Sequence, residues 1–311
     1  MDLNLPNNNS STVTILIPCL NEDKTIRRVV SSFKMQMPKA SILVIDNGSF
    51  DNTVHEASSA GASVVVETRR GKGNAIETGL RMCSTDYVIM VDGDSTYDHM
   101  DANVILRELS SGYDMVVANR VSVSENAYRK GHLIGNRLLS TVQQKILGVE
   151  VVDTLSGYRG FRRNFVQNYV ASSSGFEVEA NLNIFASIVG AKVGNIDSNY
   201  GARHKESSSK LNTLGDGLRI LLAVTKLMFN WRPLLMYSLI GSALLGISLT
   251  FLSIPVSEYL KTGQVLHIPT LIVSTFTLFF AAIMFFLGLI ANQIVNFRIE
   301  NARRDFKLFR S

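Results

Sequence analysis

With 311 residues, 46% of them apolar, and a formal net charge of +5, the chain has room for one large domain and an appendage. A basic balance of this size suits nucleic acid, an anionic membrane face or a phosphorylated substrate, but no basic run is interleaved with aromatics, which argues against nucleic acid. Cys19 and Cys83 make neither a disulfide framework nor a metal-ligand spacing, so reduced thiols in a cytosolic domain are expected.

Residues 1–12 are polar and asparagine-rich, without the apolar core of a signal peptide, and are expected to be a disordered tail. Val13 to Ile17 reads as a first strand stopped by Pro18, and Asn21-Glu22-Asp23 as the cap of a helix from about Lys24 to Lys34. Ser41 to Ile45 is a second strand ending in Asp46-Asn47-Gly48-Ser49. A helix from Asp51 or Asn52 to Ala60 follows, ended by Gly61, and then a strand from Ala62 to Glu67. The loop Arg69-Arg70-Gly71-Lys72-Gly73-Asn74 opens a helix to about Met82. It matches neither the phosphate-loop nor the dinucleotide glycine pattern. A helix N-terminus there can still meet an anion, or the loop can be structural only.

Tyr87 to Val91 is a short apolar run that ends in Asp92-Gly93-Asp94. Side chains alternate along a strand, so the two carboxylates can point the same way with Cα atoms roughly 6–7 Å apart. Two like charges at a buried strand end need a counter-charge, and a divalent cation holding a phosphate is one answer. Solvated aspartates in a turn are the plainer one. The β-α-β-α alternation predicts an α/β fold, a mostly parallel sheet with helices on both faces. Ligands of such sheets bind beyond the carboxyl ends of the strands. Pro18 to Glu22, Asp46 and the Asp92/Asp94 pair all fall there, which points to one shared site.

Asp114 to Arg120 is a further strand with Arg120 at its end, followed by a basic segment holding Arg129 and Arg137. Asp153 to Arg159 is a turn-rich link into a strand or turn; Phe176 to Glu179 precedes a helix to about Val189, and Lys192 to Tyr200 is a late strand. An enzyme-like domain is expected to span 13–212, and an amphipathic segment 213–232 lies either in a membrane interface or against the domain. Residues 234–254 and 268–295 are uncharged and long enough to cross a bilayer, giving a hairpin over 233–296. Arg298, Arg303, Arg304, Lys307 and Arg310 make the tail 297–311 basic. The positive-inside rule then puts both flanks, the enzyme-like domain and both termini on the cytoplasmic side of an integral membrane protein.

In order, Ile17-Pro18-Cys19-Leu20-Asn21-Glu22, Ile45 to Thr53, Arg70 to Ala75 and Asp92-Gly93-Asp94 resemble the family-2 glycosyltransferases of GT-A fold. Asn119-Arg120, Asp153 to Arg159, Gly175 to Glu179 and Ser209 to Asn212 resemble the dolichol-phosphate mannose synthase and polyisoprenyl-phosphate glycosyltransferase branch. The resemblance covers nearly the whole chain. It implies an inverting transfer of one sugar from a UDP- or GDP-hexose to dolichyl or undecaprenyl phosphate. By position, Pro18, Leu20, Glu22, Ile45 and Asp46 would hold base and ribose. Lys72, Gly93, Arg203 and Lys210 would meet the rest of the donor. Asp92 and Asp94 would bind Mg2+ or Mn2+. Arg120, Arg129 and Arg137 are candidates for the acceptor phosphate. Asp94, Asp153 and Arg120 would be catalytic, with Glu177 and Glu179 supporting the site. The family often has a second aspartate where this chain has Asn47, and glutamine where it has Thr96. Relatives also imply a homo-oligomer through the hairpin, with no heptad here to fix its number. Two other readings stand beside this one. A processive polysaccharide synthase would carry Q-x-x-R-W, which is absent here. The other is an inactive nucleotide-binding membrane scaffold.

Overall fold

The structure is a computed structural model that describes residues 12–122, 152–169, 178–201, 225–226 and 228–308. The chain divides into two compact units, one of residues 1–220 with 302–311, the other of residues 221–301.

The first unit is built on a seven-stranded sheet in the order β3-β2-β1-β4-β6-β5-β7. Its strands are β1 (Val13–Cys19), β2 (Ser41–Asp46), β3 (Ser63–Val66), β4 (Tyr87–Met90), β5 (Met115–Ser122), β6 (Arg159–Arg162) and β7 (Val193–Tyr200). All neighbours are parallel except β6, which runs antiparallel to both β4 and β5. The helices are α1 (Ile26–Gln36), α2 (Thr53–Ser59), α3 (Lys72–Met82), α4 (Asp101–Ser110), α5 (Arg163–Asn168) and α6 (Val178–Val189). Alternation along β1 sorts the two faces. Ile15 and Ile17 join Ile26, Val30 and Phe33 of α1 and Ile105 of α4 in one core. Leu16 points the other way, where α3 comes so close that a Cβ on Gly79 would lie 2.3 Å from Leu16 Cδ1. α3 also packs beside α5 and α6.

Two sequence expectations change in detail. Pro18 does not stop the first strand; β1 runs on to Cys19, in register with Asp46. The reason lies in its neighbours. Val91 N–H donates to Leu16 O, while Asn47 N–H donates to Cys19 O. Even positions of β1 therefore face β4, and Pro18 lies past the last residue that β4 pairs, where no N–H is needed. The expected cap by Asn21-Glu22-Asp23 is also absent: α1 starts at Ile26 without a side-chain cap, and the Glu22 carbonyl accepts from Thr25 N–H and Ile26 N–H. Asn21 instead adopts φ of 53°, one of the few residue types that tolerates it.

The second unit contains most of two long helices, α7 (Pro233–Thr262) and α8 (Ile268–Leu308). Both are long and apolar enough to cross a membrane, each holding an 18-residue stretch of high mean hydropathy, 2.0 in α7 and 2.3 in α8. Small residues let them meet. A Cβ on Gly241 would lie 3.0 Å from the Phe285 ring, one on Gly288 would lie 3.0 Å from Tyr237, and Ser248 Oγ donates to Ser274 O at 2.8 Å. The basic segment read as a tail is helical as far as Leu308, and residues from Ala302 onward belong to the first unit. There Phe306 is buried, its carbonyl accepts from Asn164 Nδ2, and Arg303 Nε donates to Ile188 O at 2.6 Å. Ile188 lies in the last turn of α6, where carbonyls lack helical partners and a cation is favoured.

Candidate active site

The carboxyl ends of β1, β2 and β4 bring four acidic side chains round Cys19. Burial pushes the Cys19 thiol well up, and the charges of Glu22, Asp46, Asp92 and Asp94 push it further. Asp46 closes β2. Its Oδ2 accepts from Gly48 N–H and Ser49 N–H at 3.1 Å each, whereas its buried Oδ1 has no hydrogen-bond partner among the described residues. A buried carboxylate oxygen left unmatched is costly unless a ligand supplies a donor. The β1–α1 loop is tied to the β2–α2 loop beside it: Asn21 N–H donates to Ser49 Oγ at 2.8 Å and Phe50 N–H donates to Asn21 Oδ1 at 2.9 Å. Glu22 is half-buried, with Oε2 accepting from Thr25 Oγ1. Leu20 is half-buried in the same loop, but Pro18 and Ile45 are buried. The Ile45 side chain packs toward Gly79 on the α3 face, so its backbone alone is left for a nucleotide.

Asn47, where the family often has aspartate, clips the next loop. Its amide Nδ2 donates to Glu67 O at 3.2 Å and Arg69 O at 2.8 Å, and its Oδ1 accepts from Gly71 N–H at 2.6 Å. A carboxylate has no donor for the two carbonyls. Glu67 grips the same loop through Arg69 N–H, Nε and an Nη, and through Thr78 Oγ1. These bonds, those to Arg69 first, hold its carboxyl down to about 2. Gly71, at φ of 124°, turns the chain into α3 and delivers Lys72. The Lys72 Nζ lies 2.7 Å from Asp92 Oδ1 and 2.7 Å from Glu179 Oε1. Burial works against its charge, but Asp92 and Glu179 overcome that and hold its pKa above the ordinary lysine range.

The Asp92-Gly93-Asp94 turn begins two residues after β4 ends at Met90. Gly93 is required by space: a Cβ there would lie 2.7 Å from Cys19 Sγ. Its carbonyl accepts from Thr25 Oγ1 at 2.7 Å, which pins the turn to α1. Thr96 orients Asp94, donating from N–H at 3.2 Å and from Oγ1 at 2.5 Å to Oδ1. Ser95 is forced to φ of 60° between them. The Asp92 carboxylate lies over Gly157, where a Cβ would come within 2.3 Å of it. A cavity of about 310 Å³ opens beside Asp92, lined among others by Arg28, Phe33, Tyr97 and His99.

Arg120 and Asp153, expected to act separately, form one unit. Arg120 Nε and an Nη donate to the two carboxylate oxygens at 2.7 and 2.8 Å, and its backbone N–H donates to Oδ2 at 3.2 Å. Asp153 is buried, and the guanidinium also lies 5.5 Å from the Tyr200 ring centroid. Arg120 lies within β5, which continues to Ser122. Arg159, fully buried, ties the turn from inside through Ser156 O, Thr154 O and Asn183 Oδ1. Tyr97 accepts from Gly157 N–H through its hydroxyl at 3.0 Å. Neither was expected as a site residue, since Tyr97 meets Gly157 and Arg159 meets Asn183, pairings that spacing along the chain does not reveal. Arg129, Arg137, Arg203 and Lys210 lie outside the described residues.

Among the described residues no three His, Cys, Asp or Glu side chains gather into a metal cage. Two carboxylates one residue apart nonetheless suit a hard divalent cation that completes its shell with water and substrate phosphates. Asp92 and Asp94 fit that role as oxygen donors.

A mostly parallel sheet with its acidic groups at the strand ends is the GT-A arrangement of glycosyltransferases. Residues 14–170 match the model of Glycosyl transferase family 2, and the chain belongs to that family. It is similar to the glycosyltransferase AglJ of Haloferax volcanii, 31% identical over 294 residues that cover 94% of this chain and 96% of the relative. It is also similar to an undecaprenyl-phosphate 4-deoxy-4-formamido-L-arabinose transferase of Pseudomonas fluorescens, 27% identical over 51% of this chain and 49% of that protein. In fold it resembles the Mycobacterium tuberculosis glucosyl-3-phosphoglycerate synthase solved with Mn2+ and UDP-glucose. That likeness has a TM-score of 0.55 at 22% identity, over 70% of this chain and 78% of that one.

Proposed function

We propose that this glycosyltransferase moves one sugar, with inversion, from a nucleotide-sugar donor to a polyisoprenyl phosphate at the cytoplasmic face of a membrane. The observation that carries the reading is the joining, in one chain, of a family-2 site with two helices apolar enough to span a bilayer. An acceptor anchored in lipid suits that combination, and the undecaprenyl-phosphate transferase relative supports it. The basic residues after the second span support a cytoplasmic catalytic unit.

The donor's base and ribose lie against Asp46, Glu22 and Leu20, with Asp46 Oδ1 as the acceptor awaiting a donor N–H. Lys72 meets the diphosphate, joined by Arg203 and Lys210. When bound, Mg2+ or Mn2+ at Asp92 and Asp94 neutralises charge that develops on the leaving nucleoside diphosphate. The acceptor is a phosphate monoester with second pKa about 6, ionised without a general base. It needs cations that place its oxygen in line with the anomeric carbon. Arg120 is the first of these, joined by Arg129 and Arg137, and Asp153 is its positioning residue through the two-oxygen fork. A single displacement at that carbon inverts its configuration.

The test supplies the purified full chain in detergent with labelled UDP- and GDP-sugars, undecaprenyl or dolichyl phosphate, and Mg2+ or Mn2+. A labelled lipid-linked sugar is expected, and Asp94→Ala should abolish it. Nucleotide binding without lipid product across the whole donor panel would overturn the reading in favour of a scaffold.

A further inference from the structure

Lys72 is one cation held between two carboxylates that come from distant parts of the chain. Its side chain is 18% exposed and that of Glu179 only 4%. Glu179 stands in the first turn of α6, and Asp92 stands beyond β4, so the lysine bridges a helix and the sheet end. The bridge is lopsided. Glu179 Oε1 takes the ammonium, while Oε2 is buried without a hydrogen-bond partner among the described residues. Such an oxygen is costly to keep unless something comes to it in another state of the site.

The donor reading puts a divalent cation on Asp92, the carboxylate that Lys72 Nζ already touches at 2.7 Å. Two cations within a few ångströms repel, strongly so where water is scarce. A seated metal therefore weakens the ammonium's hold on that place. Glu179 offers it a second oxygen within the reach of a flexible four-carbon stem.

We propose that Lys72 is a resident counter-ion of Asp92 that passes onto both oxygens of Glu179, beside the donor diphosphate, when the metal and nucleotide arrive. Glu179 is then a positioning residue that acts through Lys72. The inference rests on the nucleotide-sugar reading of the same site and adds to it an order of events. Before the donor binds, Asp92 is neutralised and the buried cluster holds together. Afterwards Lys72 is already cationic, already desolvated and already aimed.

The experiment measures Mn2+ binding to the full-length protein in detergent by electron paramagnetic resonance, with and without UDP or GDP. Lys72→Met should bind Mn2+ alone about tenfold more tightly than the parent, because the competing charge on Asp92 is gone. The same variant should bind the nucleotide less tightly. Glu179→Gln should bind Mn2+ alone about tenfold more weakly, because the lysine is left to Asp92. In the double variant the Glu179→Gln penalty should vanish, since a residue that acts only through Lys72 has nothing to act on once Lys72 is replaced. If the two single variants shift Mn2+ affinity in the same direction, or their effects add in the double variant, the counter-ion exchange is wrong. If Lys72→Met fails to fold, unchanged Mn2+ affinity in Glu179→Gln alone overturns it. A parent protein that binds neither Mn2+ nor nucleotide would instead sink the donor reading beneath it.

Discussion

Arg120 and Asp153 are a buried pair whose two halves cannot be judged alone. The guanidinium fork meets both carboxylate oxygens, and each side chain is mostly shielded, 14% and 8% exposed. Removing one partner takes from the other the opposite charge that it is forked with. Asp153→Ala should therefore lower stability by about 3 kcal/mol, read as a fall in melting temperature, as well as abolishing turnover. Replacing both residues by Met and Leu should recover much of that stability while turnover stays lost. If turnover returned with stability, the pair would be structural only. At this scale the sequence revealed chemistry but not partnership. Asp92, Asp94 and Asp46 stand out as carboxylates at strand ends, whereas nothing local to Asn47 shows that its amide clips the loop before α3. Similarly, nothing local to Glu179 shows the lysine it holds, because that partner is set by tertiary packing.

Elements formed by a strong hydrophobic period were legible to within a few residues, because β1 to α3 alternate in sequence as they do in space. β6 was not. Its four residues are too short to carry a period, and its place between β4 and β5, antiparallel to both, is a non-local choice. Gly160 shows what selects it: a Cβ there would lie 2.2 Å from Ile105 Cγ2, so only glycine lets α4 lie over this strand. The β3–α3 loop has its own pH signature. The Glu67 carboxyl is held at about 2 against an ordinary 4.5, first by Arg69 and then by Thr78. A depressed folded pKa means that this stabilisation is complete above the unfolded value and lost as pH falls toward the folded one. The melting-temperature difference between the parent and Glu67→Gln should thus be full above about pH 4.5 and vanish toward pH 2. A difference that stayed constant through that range would show that the carboxylate's charge is not what holds the loop.

Across the whole molecule the chain leaves its first unit, forms most of α7 and α8, and comes back. The return was not legible, because residues 297–311 read as a basic tail and Phe306 is one aromatic among charges. Its burial to 1% exposure reverses that picture. Phe306→Ala should cost about 3–5 kcal/mol, and a chain cut after residue 301 should melt lower still. Equal melting of parent and variant would mean that the segment is not part of the catalytic unit's core. The return also sets an order in biogenesis. A ribosome delivers residues 221–301 ahead of Phe306, and nascent domains fold as their residues emerge. The first unit thus lacks what Phe306 and Arg303 bring until residues 221–301 have left the exit tunnel, so a polypeptide that stalls earlier holds an unfilled hollow where Phe306 belongs.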